Sequence, residues 1–173
     1  MKGKGTRYYQ YFVEGEDERK IINTLKSDMG LIKPGKVQVF NCVKEKLTAL
    51  RLMTLKDGTA VVLVFDSDAG NRLLLEENMK LLHSQSNISE VICVIQVKNL
   101  EDELIRACDI KQIKDLLGVE SNSAYKRALL KEKNLSKKLL EHGFAITKFW
   151  CRQDEERYKG IVNAAEEIKK NVK

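Results

Sequence analysis

The sequence predicts an α/β fold with a central, mainly parallel sheet of about four to five strands and helices on both faces. Strand-like apolar segments alternate with segments of helical periodicity, as in parallel sheets whose strands are joined by helical crossovers. Residues 60–65 are continuously apolar, and residues 91–97 are apolar except for Gln96, which is typical of strands buried on both faces. A chain of 173 residues, of which 43% are hydrophobic, is long enough to bury one core. We therefore expect residues 1–173 to form a single domain.

Short segments rich in β-branched and aromatic residues are predicted to be strands. In chain order they are residues 8–13, 37–43, 60–65, 91–97 and 144–150. Segments whose apolar residues recur every three or four positions are predicted to be helices. They cover approximately residues 17–29, 45–56, 71–83, 101–107, 110–117, 121–132, 135–142 and 154–170. Glycines follow several of these segments and are the expected helix stops.

The formal net charge is +6, and the excess of basic residues lies towards the two ends of the chain. Basic ends around an acidic centre favour an enzyme that acts on a polyanion, although a solvated lysine-rich surface is the alternative. No apolar run approaches the roughly 18 residues of a membrane span, and residues 1–9 lack an apolar signal core. We therefore expect a cytoplasmic protein without membrane contact. The four cysteines are scattered, which disfavours a zinc site and predicts reduced thiols.

Acidic residues follow three of the predicted strands. Glu14 follows the first, Asp66 and Asp68 follow the third, and Glu101 follows the fourth. Because the carboxyl ends of parallel strands meet at one edge of a sheet, we expect these carboxylates to converge. Asp66 and Asp68 are two positions apart, so an extended chain would place them on the same side, unless their role is only to cap the next helix. Carboxylate oxygens are the preferred ligands of Mg²⁺ and Mn²⁺, so the pattern predicts a divalent-metal site.

Two motifs carry a resemblance to a known family. The segments "YFVEGEDE" and "VVLVFDSDAG" resemble the hallmarks of the Toprim domain, in which one strand ends in Glu-Gly and a later strand ends in Asp-x-Asp. Here these hallmarks fall on Glu14-Gly15 and on Asp66-Ser67-Asp68. The resemblance covers approximately residues 8–105 and implies a Rossmann-like Toprim fold. Residues 106–173 would then form a helical extension with a final strand and a terminal helix.

The resemblance is closest to the Toprim nucleases of the overcoming-lysogenization-defect (OLD) type. That group has a second glutamate four residues after the first, which is Glu18 here, and an acid after the next strand, which is Glu101. Asn99 stands where the group usually has serine. The group also employs a lysine late in the domain, for which Lys148 in the predicted strand 144–150 is the candidate. The resemblance implies an Mg²⁺-dependent endonuclease of the kind found in bacterial anti-phage defence, with any ATPase partner on a separate protein.

The expected function is therefore metal-dependent hydrolysis of phosphodiester bonds in DNA or RNA, tRNA included. Arg72, Lys148 and Arg152 are the expected contacts to nucleic acid. Lys148 could instead be an outward lysine on an edge strand, and Arg72 could pair with a neighbouring acid. Two other functions remain open, namely a non-catalytic Toprim-like regulatory or partner-binding module and an Asp-x-Asp nucleotide-sugar transferase. The sequence leaves the oligomeric state open, and a homo-oligomer is compatible with each of these functions.

Overall fold

Four strands form one sheet in the computed structural model, which describes residues 7–170. The strands are β1 (Tyr8–Val13), β2 (Lys36–Val39), β3 (Thr59–Asp66) and β4 (Ile88–Gln96). Their order across the sheet is β2-β1-β3-β4, and every neighbouring pair is parallel. The predicted α/β fold with a parallel sheet is therefore confirmed, and all four carboxyl ends lie at one edge.

Seven α-helices connect or follow these strands within residues 7–170. They are α1 (Glu16–Asn23), α2 (Ala49–Leu52), α3 (Arg72–His83), α4 (Leu100–Ala107), α5 (Lys114–Leu117), α6 (Asn122–Lys131) and α7 (Leu135–Glu141). A π-helical turn at Thr24–Asp28 extends α1, and the two together match the predicted helix 17–29. Asn71 caps α3 and Asn99 caps α4, in each case by accepting hydrogen bonds from backbone N–H groups of the first turn. None of these helices is long and apolar enough to cross a membrane.

The sheet separates two hydrophobic clusters, because side chains alternate between its faces. On β3, Val62 and Val64 point into one cluster, whereas Leu63 and Phe65 point into the other, and all four are fully buried. Helices α1 and α4 to α7 cover the first face. Helices α2 and α3 cover the second, together with Tyr158 from the C-terminal segment. This burial on both faces explains the continuously apolar sequence of β3.

The predicted strand 144–150 is wrong. This segment contains a 3₁₀ turn at Ile146–Lys148, and β4 forms the edge of the sheet in the described chain. The side chain of Asn163 occupies that edge instead: its amide donates to the carbonyl of Ile95 (3.2 Å) and accepts from the Ile95 N–H (3.2 Å). The backbone N–H of Ala164 adds a bond to the carbonyl of Cys93 (2.8 Å). These contacts satisfy the open edge of β4 without a fifth strand.

The predicted terminal helix 154–170 is also wrong, since the described part contains only a 3₁₀ turn at Ala165–Glu167. Here the chain is held by specific side chains rather than by a helical ladder. Asp154 accepts a hydrogen bond from the backbone N–H of Tyr158 (2.6 Å), and the Tyr158 ring packs edge-on against Phe65 with 4.9 Å between centroids. The predicted strand 37–43 and helix 45–56 exist in shorter form, as β2 and α2.

Candidate metal centre

Three carboxyl groups meet at the carboxyl edge of the sheet. Glu14 directly follows β1, and Asp66 is the last residue of the neighbouring strand β3. Helix α1 begins two residues after Glu14, so its first turn brings Glu18 back over the same edge. One carboxylate oxygen from each of these three residues lies within 4.8 Å of the others. Of the carboxylates predicted to converge, Glu14 and Asp66 thus lie together, and Glu18, which the family resemblance implies, lies with them.

Gly15 makes room for this arrangement. Its backbone is extended (φ −155°, ψ −175°), a conformation open to any residue. A Cβ at this position, however, would lie 3.0 Å from Oδ1 of Asp17 and 3.2 Å from Oε2 of Glu18. A larger residue would therefore require the carboxylates of Asp17 and Glu18 to shift by a few tenths of an ångström, so the constraint on Gly15 is one of space rather than of backbone strain.

The cluster lies in a partly buried environment that favours protonated carboxyl groups. Burial raises the pKa of Asp66 to about 8, with a further rise from the charge of Glu14. Burial and the adjacent Asp17 raise the pKa of Glu18 to about 9. Burial also raises the pKa of Glu14, whose Oε1 is buried and has no hydrogen-bond partner in the described chain. Such a group of buried, mutually repelling acids is stabilised either by protons or by a cation.

The donor set fits a hard divalent cation. Three carboxylates offer oxygen ligands only, which suits Mg²⁺ or Mn²⁺ rather than a thiolate- or imidazole-preferring metal. The unpartnered Oε1 of Glu14 is the specific observation in favour, because a buried carboxylate oxygen without a donor is costly and coordination would satisfy it. Glu14, Glu18 and Asp66 are therefore the residues that could hold the ion.

Asp68 lies beside this cluster rather than within it. β3 ends at Asp66, so the alternation that predicts a common side for the two aspartates does not extend to Asp68, which lies in a turn. Its Oδ2 accepts a hydrogen bond from the side-chain amide of Asn99 (3.2 Å), and its backbone N–H donates to the carbonyl of Lys98 (3.1 Å). The charge of Asp68 nevertheless contributes to the raised pKa of Asp66 and of Glu14.

A cleft of about 550 Å³ opens next to the cluster. Asp66 and Asp68 line it on the sheet side, and Glu101 lines it from α4. Lys126 reaches in from α6, with its ammonium 3.6 Å from a carboxylate oxygen of Glu101 and 3.6 Å from one of Asp17. Glu101 therefore lies at the expected edge, but in the structure it pairs with a lysine. Although burial favours the protonated acid, the pKa of Asp17 is lowered, because Glu18 donates a hydrogen bond to it and Lys126 lies nearby.

Glu103, in the same acidic turn as Glu101, has a structural role. Its side chain is fully buried, and its two oxygens accept hydrogen bonds from the backbone N–H groups of Val97 (2.9 Å) and Trp150 (2.9 Å). It also forms an ion pair with Arg106 at 2.8 Å. Glu103 thus joins the end of β4 to the C-terminal segment and has no free oxygen for a metal.

The expected nucleic-acid contacts lie outside the cleft. Arg72 pairs with Glu76 (3.0 Å) and donates to the carbonyl of Lys159 (2.5 Å). Lys148 and Arg152 are exposed, and Lys148 sits in a 3₁₀ turn rather than in a strand. Their contacts to nucleic acid remain predictions.

Four residues that sequence reasoning did not assign belong to the site: Asp17, Gln96, Lys111 and Lys126. Lys111 and Lys126 are the basic side chains that line the cleft in the described part of the chain. Gln96, the last residue of β4, donates to Oδ1 of Asp66 (2.6 Å). Asp17 is visible in the motif "EGEDE", whereas no local sequence signal marks the other three.

Comparison of this chain with protein-family models, curated proteins and solved structures finds no match. The Toprim resemblance therefore depends on the two sequence motifs alone.

Proposed function

We propose that this protein is a divalent-metal-dependent nuclease that hydrolyses phosphodiester bonds of DNA or RNA. One observation carries the proposal: Glu14, Glu18 and Asp66 place carboxylate oxygens within 4.8 Å of one another at the carboxyl ends of two neighbouring parallel strands. The Toprim-like motifs supply these residues, which supports assignment to that class. The same resemblance is the basis for a role in anti-phage defence with a separate ATPase partner.

Glu14, Glu18 and Asp66 would hold Mg²⁺ or Mn²⁺. When bound, such an ion polarises a phosphoryl oxygen and lowers the pKa of water, which is the chemistry that phosphodiester hydrolysis needs. Binding of a cation requires deprotonated ligands, so Asp66 and Glu18 lose their protons as the ion enters. Asp68 lines the cleft and accepts a hydrogen bond from Asn99, and its carboxylate would orient a water molecule and accept its proton.

Lys111 and Lys126 would bind the substrate backbone. Both line the cleft beside Asp66, and the side chain of Lys126 is 66% exposed, so its ammonium can exchange its carboxylate partners for a phosphate. The excess of positive charge, +6 over the chain, adds long-range attraction for a polyanion. All four cysteines are free, which fits action in the cytoplasm.

The first test is cleavage of supercoiled DNA, single-stranded DNA and total tRNA in Mg²⁺, Mn²⁺ or EDTA. We expect cleavage of at least one substrate in a divalent metal, and loss of cleavage in EDTA and in Asp66→Asn. Asp57→Asn is the matched control, because Asp57 is an exposed aspartate just before the opposite end of the same strand. Equal cleavage by Asp66→Asn and wild type would refute the proposal.

A second measurement does not depend on a partner protein. We expect calorimetric Mn²⁺ binding by wild type and by Asp57→Asn, and none by Glu14→Gln or Asp66→Asn. Metal binding without cleavage of any substrate would instead favour the non-catalytic regulatory module. Absence of Mn²⁺ binding by wild type would remove the metal centre on which the proposal depends.

A further inference from the structure

The single tryptophan of the chain is connected to the carboxylate cluster through one side chain. Trp150 is 1% exposed, and its indole N–H donates to Oε1 of Gln96 at 3.3 Å. Gln96 is fully buried, and its Nε2 donates to Oδ1 of Asp66 at 2.6 Å. A continuous chain of two hydrogen bonds thus leads from the C-terminal segment to a candidate metal ligand.

The direction of these two hydrogen bonds is set by Trp150. An indole N–H can only donate, so it must face the carbonyl oxygen of the Gln96 amide. The amide nitrogen then faces Asp66, where it donates to the carboxylate and favours its ionised form. Without the indole, the amide of Gln96 could turn over and present its oxygen to Asp66, where it would repel the carboxylate that a cation needs.

Trp150 is held in place at a conformational cost. Its backbone φ is +55°, and Lys98 is the only other non-glycine residue with positive φ in the described chain. The left-handed conformation is unfavourable for a residue with a Cβ. Its N–H donates to the buried Glu103 carboxylate (2.9 Å), and its carbonyl accepts from the Asn163 amide (3.1 Å). Strained residues that the surroundings fix in this way concentrate at functional sites.

We propose that Gln96 and Trp150 are positioning residues that orient the Asp66 carboxylate for metal binding. This inference depends on the proposed metal-dependent function, since it concerns how one of its ligands is held. Groups that hydrogen-bond to metal ligands fix their orientation and basicity, and their loss typically lowers metal affinity about 10–100-fold. A consequence is that Trp150 fluorescence responds to occupation of the metal site.

The experiment compares Gln96→Met and Trp150→Phe with wild type by Mn²⁺ calorimetry and thermal unfolding. Asn78→Met is the matched control: Asn78 is another buried amide (1% exposed), and it bonds the backbone of Leu47 and Cys42 on the α3 side of the sheet. We expect all three variants to unfold at lower temperature. Only Gln96→Met and Trp150→Phe should lose Mn²⁺ affinity, by about 10–100-fold.

Wild-type protein supplies a test that needs no variant to fold. Titration with Mg²⁺ should change the emission of Trp150, with the same midpoint as calorimetric binding. The positioning role would be overturned if both Gln96→Met and Trp150→Phe bound Mn²⁺ within about twofold of wild type, instead of with the expected 10–100-fold loss. The metal site itself would not be affected by that result. Calorimetric binding of Mg²⁺ without any change in emission would also overturn the positioning role. If wild type binds no metal, the proposed function and this inference fail together.

Discussion

Replacing Asp66 with asparagine should stabilise the metal-free protein at pH 8. Burial and the neighbouring Glu14 raise the pKa of Asp66 from its ordinary value of 3.8 to about 8. Between these two values the folded protein retains a proton that the unfolded chain has lost, so wild-type stability falls as the pH rises through this window. Asparagine has no proton to lose and can still accept from Gln96. The difference between variant and wild type should therefore be near zero at pH 4 and largest at pH 8.

The size of the effect follows from the pKa shift. Each pKa unit corresponds to about 1.4 kcal/mol, so the full shift of Asp66 sets an upper bound on the order of 5 kcal/mol. The charges of Asp66 and Glu14 couple the titration of the two groups, and partial exposure lets water relieve the ionised state. We therefore expect Asp66→Asn to gain about 2–3 kcal/mol at pH 8, which corresponds to a rise of about 5–10 °C in the unfolding temperature.

Thermal unfolding at pH 5, 6, 7 and 8 in EDTA measures this difference. Asp57→Asn, the exposed control before the other end of β3, should match wild type at every pH. Added Mg²⁺ should stabilise wild type but not Asp66→Asn, since ligand binding to the folded state raises its stability. The reasoning is refuted if Asp66→Asn is no more stable than wild type at pH 8, or if its advantage is as large at pH 5 as at pH 8.

Three other predictions test different parts of the site. Because the pKa values of Asp66 and Glu18 are raised to about 8 and 9, Mn²⁺ binding at pH 7 should release protons and become tighter as the pH rises. The released protons are taken up by the buffer, so the calorimetric binding enthalpy should differ between Tris and HEPES; equal enthalpies would contradict this prediction. Gly70→Ala should lower the free energy of unfolding more than Gly118→Ala, because both glycines have positive φ but only a Cβ at position 70 would overlap a buried valine. Chemical unfolding should show a loss of about 1 kcal/mol for the control, Gly118→Ala. Equal losses in the two variants would contradict the steric argument. Lys126→Ala should change the free energy of unfolding by less than about 1 kcal/mol, since the lysine side chain is 66% exposed and 3.6 Å from each carboxylate. It should weaken nucleic-acid binding and reduce the salt dependence of that binding; unchanged binding would show that this lysine does not contact the substrate.

The parallel sheet could be predicted from the sequence because the composition of β3 reflects the burial of that strand. Val61 to Phe65 are apolar without interruption, since both faces of that strand are covered, and the segment is followed directly by the acids. Glu14 and Asp66 could be paired from sequence because parallel strands bring their carboxyl ends together whatever the distance between them in the chain. These inferences depend on local patterns combined with one topological rule.

Helices α6 and α7 were predicted from their periodicity, but the chain from residue 144 onward could not be predicted in this way. The segment "FAITKFW" has the composition of a strand, yet the edge of β4 is satisfied by the side chain of Asn163, which no periodicity reveals. No sequence motif marks Gln96, because its role depends on a contact with Trp150, which lies 54 positions away along the chain. Lys126 reaches the cleft only through the placement of α6 against α1, which is a result of tertiary packing.

The candidate site is therefore built by both halves of the chain, and residues 8–105, which include the two motifs, do not contain all of it. Trp150 orients the side-chain amide of Gln96, which donates to Asp66 at the start of the Asp66–Gly70 loop. At the end of this loop, the Tyr158 hydroxyl donates to the carbonyl of Ala69 (2.7 Å), and Arg157 donates to the carbonyl of Gly70 (2.7 Å). The loop that follows β3 is thus held between two parts of one C-terminal segment. Because ligand geometry sets metal affinity, a fragment that ends near residue 105 should lose the orientation of Asp66 even if its sheet still forms.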